Sequence, residues 1–213
     1  MASLGLAPRS ALAGLAEIGR QETPSGAVGV FVSERTNLTL ANVVALRNST
    51  GALARRMHEV FGFEPPLEPR HIGGDEVAFA WTGLAQWLAI GTGVQGDALV
   101  TRLRAELSGL ASISDQTDGR VVIRLRGPDV RSLLAKGLPI DLHPRAFTPG
   151  RAAVTMLSQV GLHIWQVDAQ PTYDLVVPTS YAAHVWRWIV DAAAQFGLSV
   201  DSDGTEAPAR AGC

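Results

Sequence analysis

The amino-acid sequence predicts an α+β fold made of duplicated strand-strand-helix-strand-helix units, with antiparallel or mixed sheets stacked against helices. Apolar patterns of period two and of helical period alternate in this order through the first half of the chain, and the second half repeats the order. The two halves also align, residues 43–53 falling beside residues 121–131 with agreement of pattern more than of identity. Strand connections of this kind favour antiparallel sheets over a doubly wound parallel sheet.

Turn residues and changes in composition divide the chain into four expected segments. An N-terminal arm and linker occupy residues 1–26, with a short helix at 10–19. A first α+β lobe follows at 27–110 and a second at 111–200. The tail, 201–213, has no apolar residue larger than alanine apart from a terminal cysteine, and we expect it to be disordered.

Two strand pairs and two helices are expected in the first lobe. Apolar, β-branched runs separated by short polar segments predict the strands, and apolar residues at helical spacing behind capping side chains predict the helices. The expected strand pairs are 28–32 with 38–46 and 77–81 with 87–90, the second pair turning at Thr82 and Gly83, and the expected helices run from Asn48, Ser49 or Thr50 to Gly62 and from Asp97 to Leu110.

The second lobe should repeat this order and end in the most amphipathic helix of the chain. Its proline-rich segment at 140–150 is expected to be a loop. The remaining elements are strands 111–114 and 120–126 with a tight turn at Asp118 and Gly119, a helix opened by Gly127 and Pro128, strands 152–157, 162–167 and 173–177, and a final helix capped by Thr179 or Ser180, buried through Ala182, Val185, Trp186, Ile189, Ala193 and Phe196, and ended at Gly197.

Composition excludes several classes of function. Hydrophobic residues make up 46% of the chain and charged residues 18%, against about 25% charged in typical soluble domains. The excess of apolar residues belongs either to an unusually large core or to contacts with partner chains, and we favour partner chains. The net charge of −2 supplies no field for nucleic acid, and no stretch approaches the roughly 20 apolar residues of a membrane span. Cys213 is the single cysteine, which excludes an intramolecular disulfide and fits the cytoplasm.

A glycine-rich stretch, Gly91 to Gly96, matches the G-X-G-X-X-G pattern of dinucleotide-binding proteins. Asp115 lies some 22 residues beyond Gly93, near the position of the acidic residue in that motif. The preceding segment, however, reads as a hairpin arm, whereas a dinucleotide fold opens with a long buried parallel strand. We therefore favour a glycine-rich turn into a helix capped by Asp97 and keep dinucleotide binding as the alternative.

The five histidines are scattered, and none has the spacing of a zinc hydrolase. Asp141 and His143 in the proline-rich loop could meet His163 from a strand in a facial metal arrangement. The favoured interpretation is a loop fixed by side-chain hydrogen bonds. No catalytic, cofactor-binding or metal-binding residue is assigned to the chain.

Trp186 and Trp188 stand two residues apart on the final helix and so face different directions. Trp186 belongs to the buried stripe. Trp188 therefore either lies in a partner interface, where tryptophan is enriched, or covers an edge of its own protein.

Several runs in the second half resemble the gamma subunit of heterotetrameric sarcosine oxidases. The resemblance is strong over residues 110–200 and weak over 8–109. The runs that carry it are 113–137, which contains Gly127-Pro128-Asp129, then 140–144 with Phe147, 173–182 with Trp186, the closing Phe196-Gly197, and Pro8 to Leu12 near the start.

This resemblance implies a fold like that of the folate-binding aminomethyltransferases, a duplicated α+β unit with strands exchanged between its halves. It implies a non-catalytic subunit that binds no cofactor itself, partnered by alpha, beta and delta subunits that carry FAD, FMN, NAD, tetrahydrofolate and zinc. The amine substrate would be sarcosine or a related secondary amine. No residue maps onto the folate-holding acid of the transferases, and Cys213 is not in a Lys-Gly-Cys motif. A stand-alone folate-binding transferase is the alternative.

Overall fold

Twelve strands and four α helices make up the part of the chain that the computed structural model describes, which is residues 10–17, 19–21, 23, 26–74, 76–93 and 97–202. The strands are β1 Gly19–Gln21, β2 Val30–Arg35, β3 Leu38–Ala45, β4 His71–Gly73, β5 Val77–Gly83, β6 Gln86–Thr92, β7 Ala111–Asp115, β8 Arg120–Arg126, β9 Ala152–Leu157, β10 Val160–Gln166, β11 Tyr173–Pro178 and β12 Leu198–Val200. The helices are α1 Thr50–Phe61, α2 Ala98–Glu106, α3 Val130–Leu134 and α4 Ala182–Ala193, the last preceded by a 3₁₀ turn at Thr179–Tyr181.

The strands form two sheets whose topologies correspond, an antiparallel one of five strands and a mixed one of seven. The five-stranded sheet has the order β4-β5-β6-β3-β7, and the seven-stranded sheet has the order β9-β10-β11-β8-β2-β12-β1. The first five strands of the two orders correspond one to one, β4 with β9, β5 with β10, β6 with β11, β3 with β8 and β7 with β2. Every neighbouring pair of strands is antiparallel except β2 with β12. The predicted duplicated α+β fold is confirmed.

The first strand of each repeat lies in the sheet of the other repeat. We expected 28–32 and 38–46 to pair, yet β2 pairs with β8 and β12 whereas β3 pairs with β6 and β7. The turn expected at Asp118 and Gly119 does form, but β7 and β8, which it joins, likewise enter different sheets instead of pairing. Both predictions of pairing were wrong because local pattern specifies an extended conformation without specifying the strand that completes its hydrogen bonds.

The division into lobes at 27–110 and 111–200 stays a prediction, and a cut there passes between β7 and its neighbour β3. The alignment of the halves also shifts. β3 ends at Ala45 and β8 at Arg126, 81 positions apart, whereas the sequence alignment set equivalent residues 78 apart. The helices that follow differ in length, with 12 residues in α1 and five in α3. Their apolar stripes therefore do not show which residues of the two halves correspond.

The layers follow the order helix, sheet, sheet, helix. Helices α1 and α2 cover the outer face of the five-stranded sheet, and α3 and α4 cover the outer face of the seven-stranded sheet. The two sheets pack face to face through a smaller apolar core. That inner core consists of Leu40, Ala80, Leu88, Ile90, Val122, Ala152, Trp165 and Val176, with Leu38 at its border.

Most local predictions are confirmed with small shifts. Helix α1 ends at Gly62, which adopts the left-handed conformation with φ 83°. The five predicted stripe residues within α4 are all buried, and Phe196 beyond the helix is half-buried against the same core. The β5–β6 hairpin turns at Leu84 and Ala85 instead of Thr82 and Gly83.

The expected side-chain caps are not formed. Ser49 and Asp97 precede α1 and α2 without a capping hydrogen bond, because both adopt helical backbone angles that direct the side chain away from the first amides. Helix α3 begins at Val130 behind Asp129, two residues later than expected. Gly127 has φ 120° and serves the close approach to β2.

The N-terminal arm is part of the fold, although the short helix expected at 10–19 was wrong. Hydrogen-bonded turns follow Ser10, with Gly14 in the left-handed conformation, and Leu12 is buried in the core of the seven-stranded sheet and its helices. Strand β1 then pairs with β12. Asp201, just past β12, donates its amide to the Val32 carbonyl at 2.8 Å. Residues 1–9 and 203–213, with most of the expected disordered tail, lie outside the described residues.

Candidate functional site

A charged cluster lies between the two sheets, on the inner face of the seven-stranded sheet. Asp174 on β11 stands opposite Arg124 on β8, and alternation along each strand points both residues away from the helices. The Arg124 Nε and Nη2 atoms lie 2.7 and 2.8 Å from the two carboxylate oxygens of Asp174, and Arg35 Nη1 lies 3.6 Å from Oδ2. Asp174 is 3% exposed, so its charge depends on these two arginines.

The aromatic pair His71 and Trp165 connects the sheets beside this cluster. His71 comes from β4 of the five-stranded sheet, and Trp165 from β10, where it stands opposite Asp174. Their rings stack with centroids 4.9 Å apart and planes 7° apart. The pKa of His71 is lowered to about 4, mainly by burial, while Asp174 raises it and Arg124 lowers it by smaller amounts. His71 is therefore a neutral stacking partner at neutral pH.

The free energy of unfolding should fall as the pH drops from about 6.5 towards 4. The folded-state pKa values of His71 and His163 are both lowered to about 4, so the unfolded chain takes up protons first, and the stability present above pH 6.5 is lost across this window. A shift of this size corresponds to roughly 3 kcal/mol for each group. Urea unfolding of His71→Phe from pH 7 to pH 4 should show a shallower loss than the wild type.

The matched control is His58→Gln, which alters an exposed residue of α1. This variant should keep the wild-type dependence on pH. An equally steep loss in His71→Phe would contradict the assignment of the dependence to the buried imidazole.

A cavity of about 570 Å³ lies where the segments joining β2 to β3 and β7 to β8 cross. Its wall has residues of both charges, because Glu34 and Asp118 line it together with Arg35 and Arg120. The Glu34 carboxylate accepts a hydrogen bond from the hydroxyl of Ser10. The cavity is a strand-crossover space with hydroxyl and charged groups, and among the described residues its wall holds no histidine to act as a base.

One serine and histidine do meet, at the surface. Ser158 Oγ in the β9–β10 turn lies 3.2 Å from His184 Nε2 on α4, and the contact is exposed. Among the described residues no carboxylate is hydrogen-bonded to His184. The pair lacks the third, orienting group of a nucleophilic triad.

The first residues of the glycine-rich stretch, Gly91 to Gly93, lie at the end of a hairpin arm. Gly91 pairs with Thr39 of β3 and with Val77 of β5, both antiparallel, and residues 94–96 lie outside the described residues. Strand β7, which follows α2, is separated from β6 by β3. A dinucleotide crevice requires neighbouring parallel strands, so this topology favours the glycine-rich turn.

The proline-rich loop is fixed by its own side chains, as the favoured interpretation required. Asp141 Oδ1 accepts the amide of His143 at 2.8 Å, and His143 Nδ1 accepts the amide of Arg145 at 3.2 Å. In the described part of the chain, no three His, Cys, Asp or Glu side chains gather as metal ligands, so His163 does not join this pair in a metal site.

None of the described helices is long and apolar enough to cross a membrane.

Trp188 covers an edge of its own protein. The side chain is half-buried against the core of the seven-stranded sheet. A Cβ atom added at Gly137 would lie 2.4 Å from its ring. The structure thus favours the second of the two interpretations of this residue.

Sequence reasoning missed the charged cluster and the stacked pair. A signal was present, since Asp174 is the one charge in β11 and Arg124 stands between the apolar residues Ile123 and Leu125 in β8. An isolated charge in such a strand either faces solvent or needs a buried partner, and only the pairing of β8 with β11 decides which.

Comparisons with known proteins agree on one family. The model of the sarcosine oxidase, gamma subunit family matches residues 47–195. Sarcosine oxidase subunit gamma from Arthrobacter sp. is 32% identical over 192 residues, which cover 88% of this chain and 91% of the relative. The subunit gamma from Corynebacterium sp. (strain P-1) is 30% identical over 191 residues, covering the same shares of the two chains, 88% and 91%.

Solved structures show the same similarity in three dimensions. A chain of the heterotetrameric sarcosine oxidase from Corynebacterium sp. U-96, in complex with pyrrole 2-carboxylate, gives a TM-score of 0.74 at 25% identity, covering 94% of this chain and 98% of that chain. The glycine cleavage system aminomethyltransferase T from Bartonella henselae gives 0.59 at 13% identity, covering 86% and 58%. The second similarity is one of fold, and it confirms the expected likeness to the aminomethyltransferases.

Proposed function

This chain belongs to the sarcosine oxidase gamma subunit family, and on that premise we propose that it is a non-catalytic, structural subunit of a heterotetrameric sarcosine-oxidase-like complex. The complex oxidatively demethylates sarcosine or a related secondary amine at a flavin and transfers the methylene group to tetrahydrofolate. This chain contributes the framework on which other subunits assemble.

One observation carries the proposal, which is that the similarity extends over whole chains. The chain aligns with 91% of a gamma subunit and with 98% of a chain from a heterotetrameric sarcosine oxidase. The described side chains support a structural role, because the buried charges of Asp174, Arg124 and Arg35 satisfy one another and are not held open for a reactant.

The finer assignments follow from the family resemblance. We assign FAD, FMN, NAD, tetrahydrofolate and zinc to the alpha, beta and delta subunits, and none of them to this chain. We also place the complex in the cytoplasm, which the single cysteine, Cys213, favours.

Co-expression of this chain with the alpha, beta and delta subunits from the same genome tests the proposal. Size-exclusion chromatography with visible absorbance should show the chain eluting with a yellow, flavin-bearing assembly at fixed stoichiometry. The chain expressed alone should be colourless, because it supplies no flavin site. A colourless monomer that never elutes with flavoprotein and binds tetrahydrofolate tightly would contradict the proposal and favour a stand-alone folate-binding protein.

A further inference from the structure

The seven-stranded sheet extends beyond the five-stranded sheet that covers its inner face. Val122 and Val176 are in register, and both are buried in the inner core. Farther along the same face, towards β9, the side chains emerge from this cover, and Val154 and Met156 are 48% and 52% exposed. We name this uncovered region the open end, which consists of Arg120, Val154, Met156, Gly161 and His163.

The residues of the open end are held together by strand register. His163 of β10 stands opposite Val154 of β9, and Gly161 stands opposite Met156. Arg120 begins β8, two strands from β10, and stands opposite Pro178 of β11. With strands about 4.8 Å apart, the region is roughly 14 Å wide from β9 to β8. It has the width of a few extended side chains.

Strand β9 forms the edge of this region. Its first residue, Ala152, donates its amide to the Pro69 carbonyl at 2.9 Å, and beyond this residue no described segment pairs with its free side. Its six residues, Ala152 to Leu157, include no charge and no proline. Soluble proteins usually protect an edge strand with such residues or with a covering segment. The edge strands β1 and β7 carry Arg20 and Asp115 respectively. The apolar edge beyond Ala152 therefore indicates a strand that is covered by another chain in the functional assembly.

Two polar groups of the open end need partners. His163 Nδ1 is buried and has no hydrogen-bond partner within the described part of the chain. Arg120 is half-buried, and its guanidinium makes no ion pair or hydrogen bond with any described residue. Burial lowers the pKa of Arg120, and the charge of Arg120 adds to burial in lowering the pKa of His163. His163 Nδ1 and the Arg120 guanidinium have therefore lost hydration, and no hydrogen bond or ion pair with a described residue replaces it.

The charge of the open end selects the chemistry of its partner. Arg120 is its one fully ionised side chain, and the buried acid of the same sheet face, Asp174, is already bound by two arginines. A planar guanidinium is best satisfied by a carboxylate in a bidentate pair. Arginine and methionine are also enriched in protein interfaces. The surface is therefore complementary to an acidic residue flanked by apolar ones.

We propose that the open end is the docking surface for an extended segment of another subunit, which pairs its backbone with β9, covers Val154 and Met156 with apolar side chains, and places a carboxylate against Arg120. This inference rests on the proposed function, since it assigns a place to one of the partner subunits. The same segment shields His163 from water.

The test compares Arg120→Glu with the matched control Arg55→Glu in the co-expressed complex. Arg55 is an exposed arginine of α1, in the outer helix layer of the other sheet. Charge reversal at a pair with a carboxylate should reduce the fraction of the chain that elutes with the complex by at least about tenfold, and the control should leave it unchanged. Thermal unfolding of each isolated variant establishes that both are folded.

A second measurement does not depend on the folding of a charge variant. A photo-crosslinking residue at Met156, in the otherwise unaltered complex, should capture a peptide of another subunit that contains Asp or Glu beside apolar residues. Capture of residues 203–213 of this chain or of a second copy, or undiminished assembly of Arg120→Glu, would overturn the inference while leaving the proposed function standing. If the unaltered chain does not assemble with the other subunits, the proposed function and this inference fall together.

Discussion

Replacement of Asp174 by alanine is expected to lower the free energy of unfolding by roughly 3–5 kcal/mol. The substitution leaves Arg124 and Arg35 without their shared carboxylate in the space between the sheets, where their side chains are only 18% and 15% exposed. A buried charge that loses this carboxylate cannot recover its hydration. The loss of unfolding free energy is therefore larger than the net contribution of the ion pair to stability. Chemical denaturation of the isolated chain at pH 7 measures the effect.

Glu106→Ala is the matched control for this carboxylate. Glu106 pairs with Arg56 between α1 and α2, where both side chains are more than one third exposed. Water and salt screen such a pair, so the control should lose much less stability than Asp174→Ala. Equal losses in the two variants would show that the inner cluster is hydrated, which would contradict the burial of its charges.

Replacement of Gly127 by alanine is expected to destabilise the fold by roughly 2–5 kcal/mol. Gly127 has φ 120°, a conformation that residues with a side chain rarely adopt. A Cβ atom there would also lie 2.4 Å from the carbonyl oxygen of Gly29, just before β2. Since β2 is the exchanged strand, the methyl group would force the two repeats apart at this contact.

The matched control is Gly161→Ala on β10, where an added Cβ meets no atom within 4 Å. The control should keep the wild-type melting temperature within about 2 °C, while Gly127→Ala should melt lower by roughly 5 °C or more. Comparable melting of Gly127→Ala and the wild type would show that the turn can relax without loss of the β2 contact.

The amino-acid sequence by itself determined most of the local structure and the family. Helix α1 ends where Gly62 supplies a left-handed residue, and the stripe of α4 is buried because its apolar residues recur at helical spacing. The runs around Gly127-Pro128-Asp129 were sufficient to identify the gamma subunit family, which the family match over residues 47–195 confirms. These features depend on neighbours along the chain.

Only the tertiary structure decided which strands pair and which side chains meet between the sheets. The exchange of β2 and β7 could not be read from their own residues, because a strand leaves its hydrogen bonds open to any edge of suitable register. Arg124 and Asp174 stand 50 positions apart and meet only through the pairing of β8 with β11. Periodicity fixes the conformation of a segment and the polarity of its faces, whereas contacts between distant segments are fixed by the free energy of the whole packed fold.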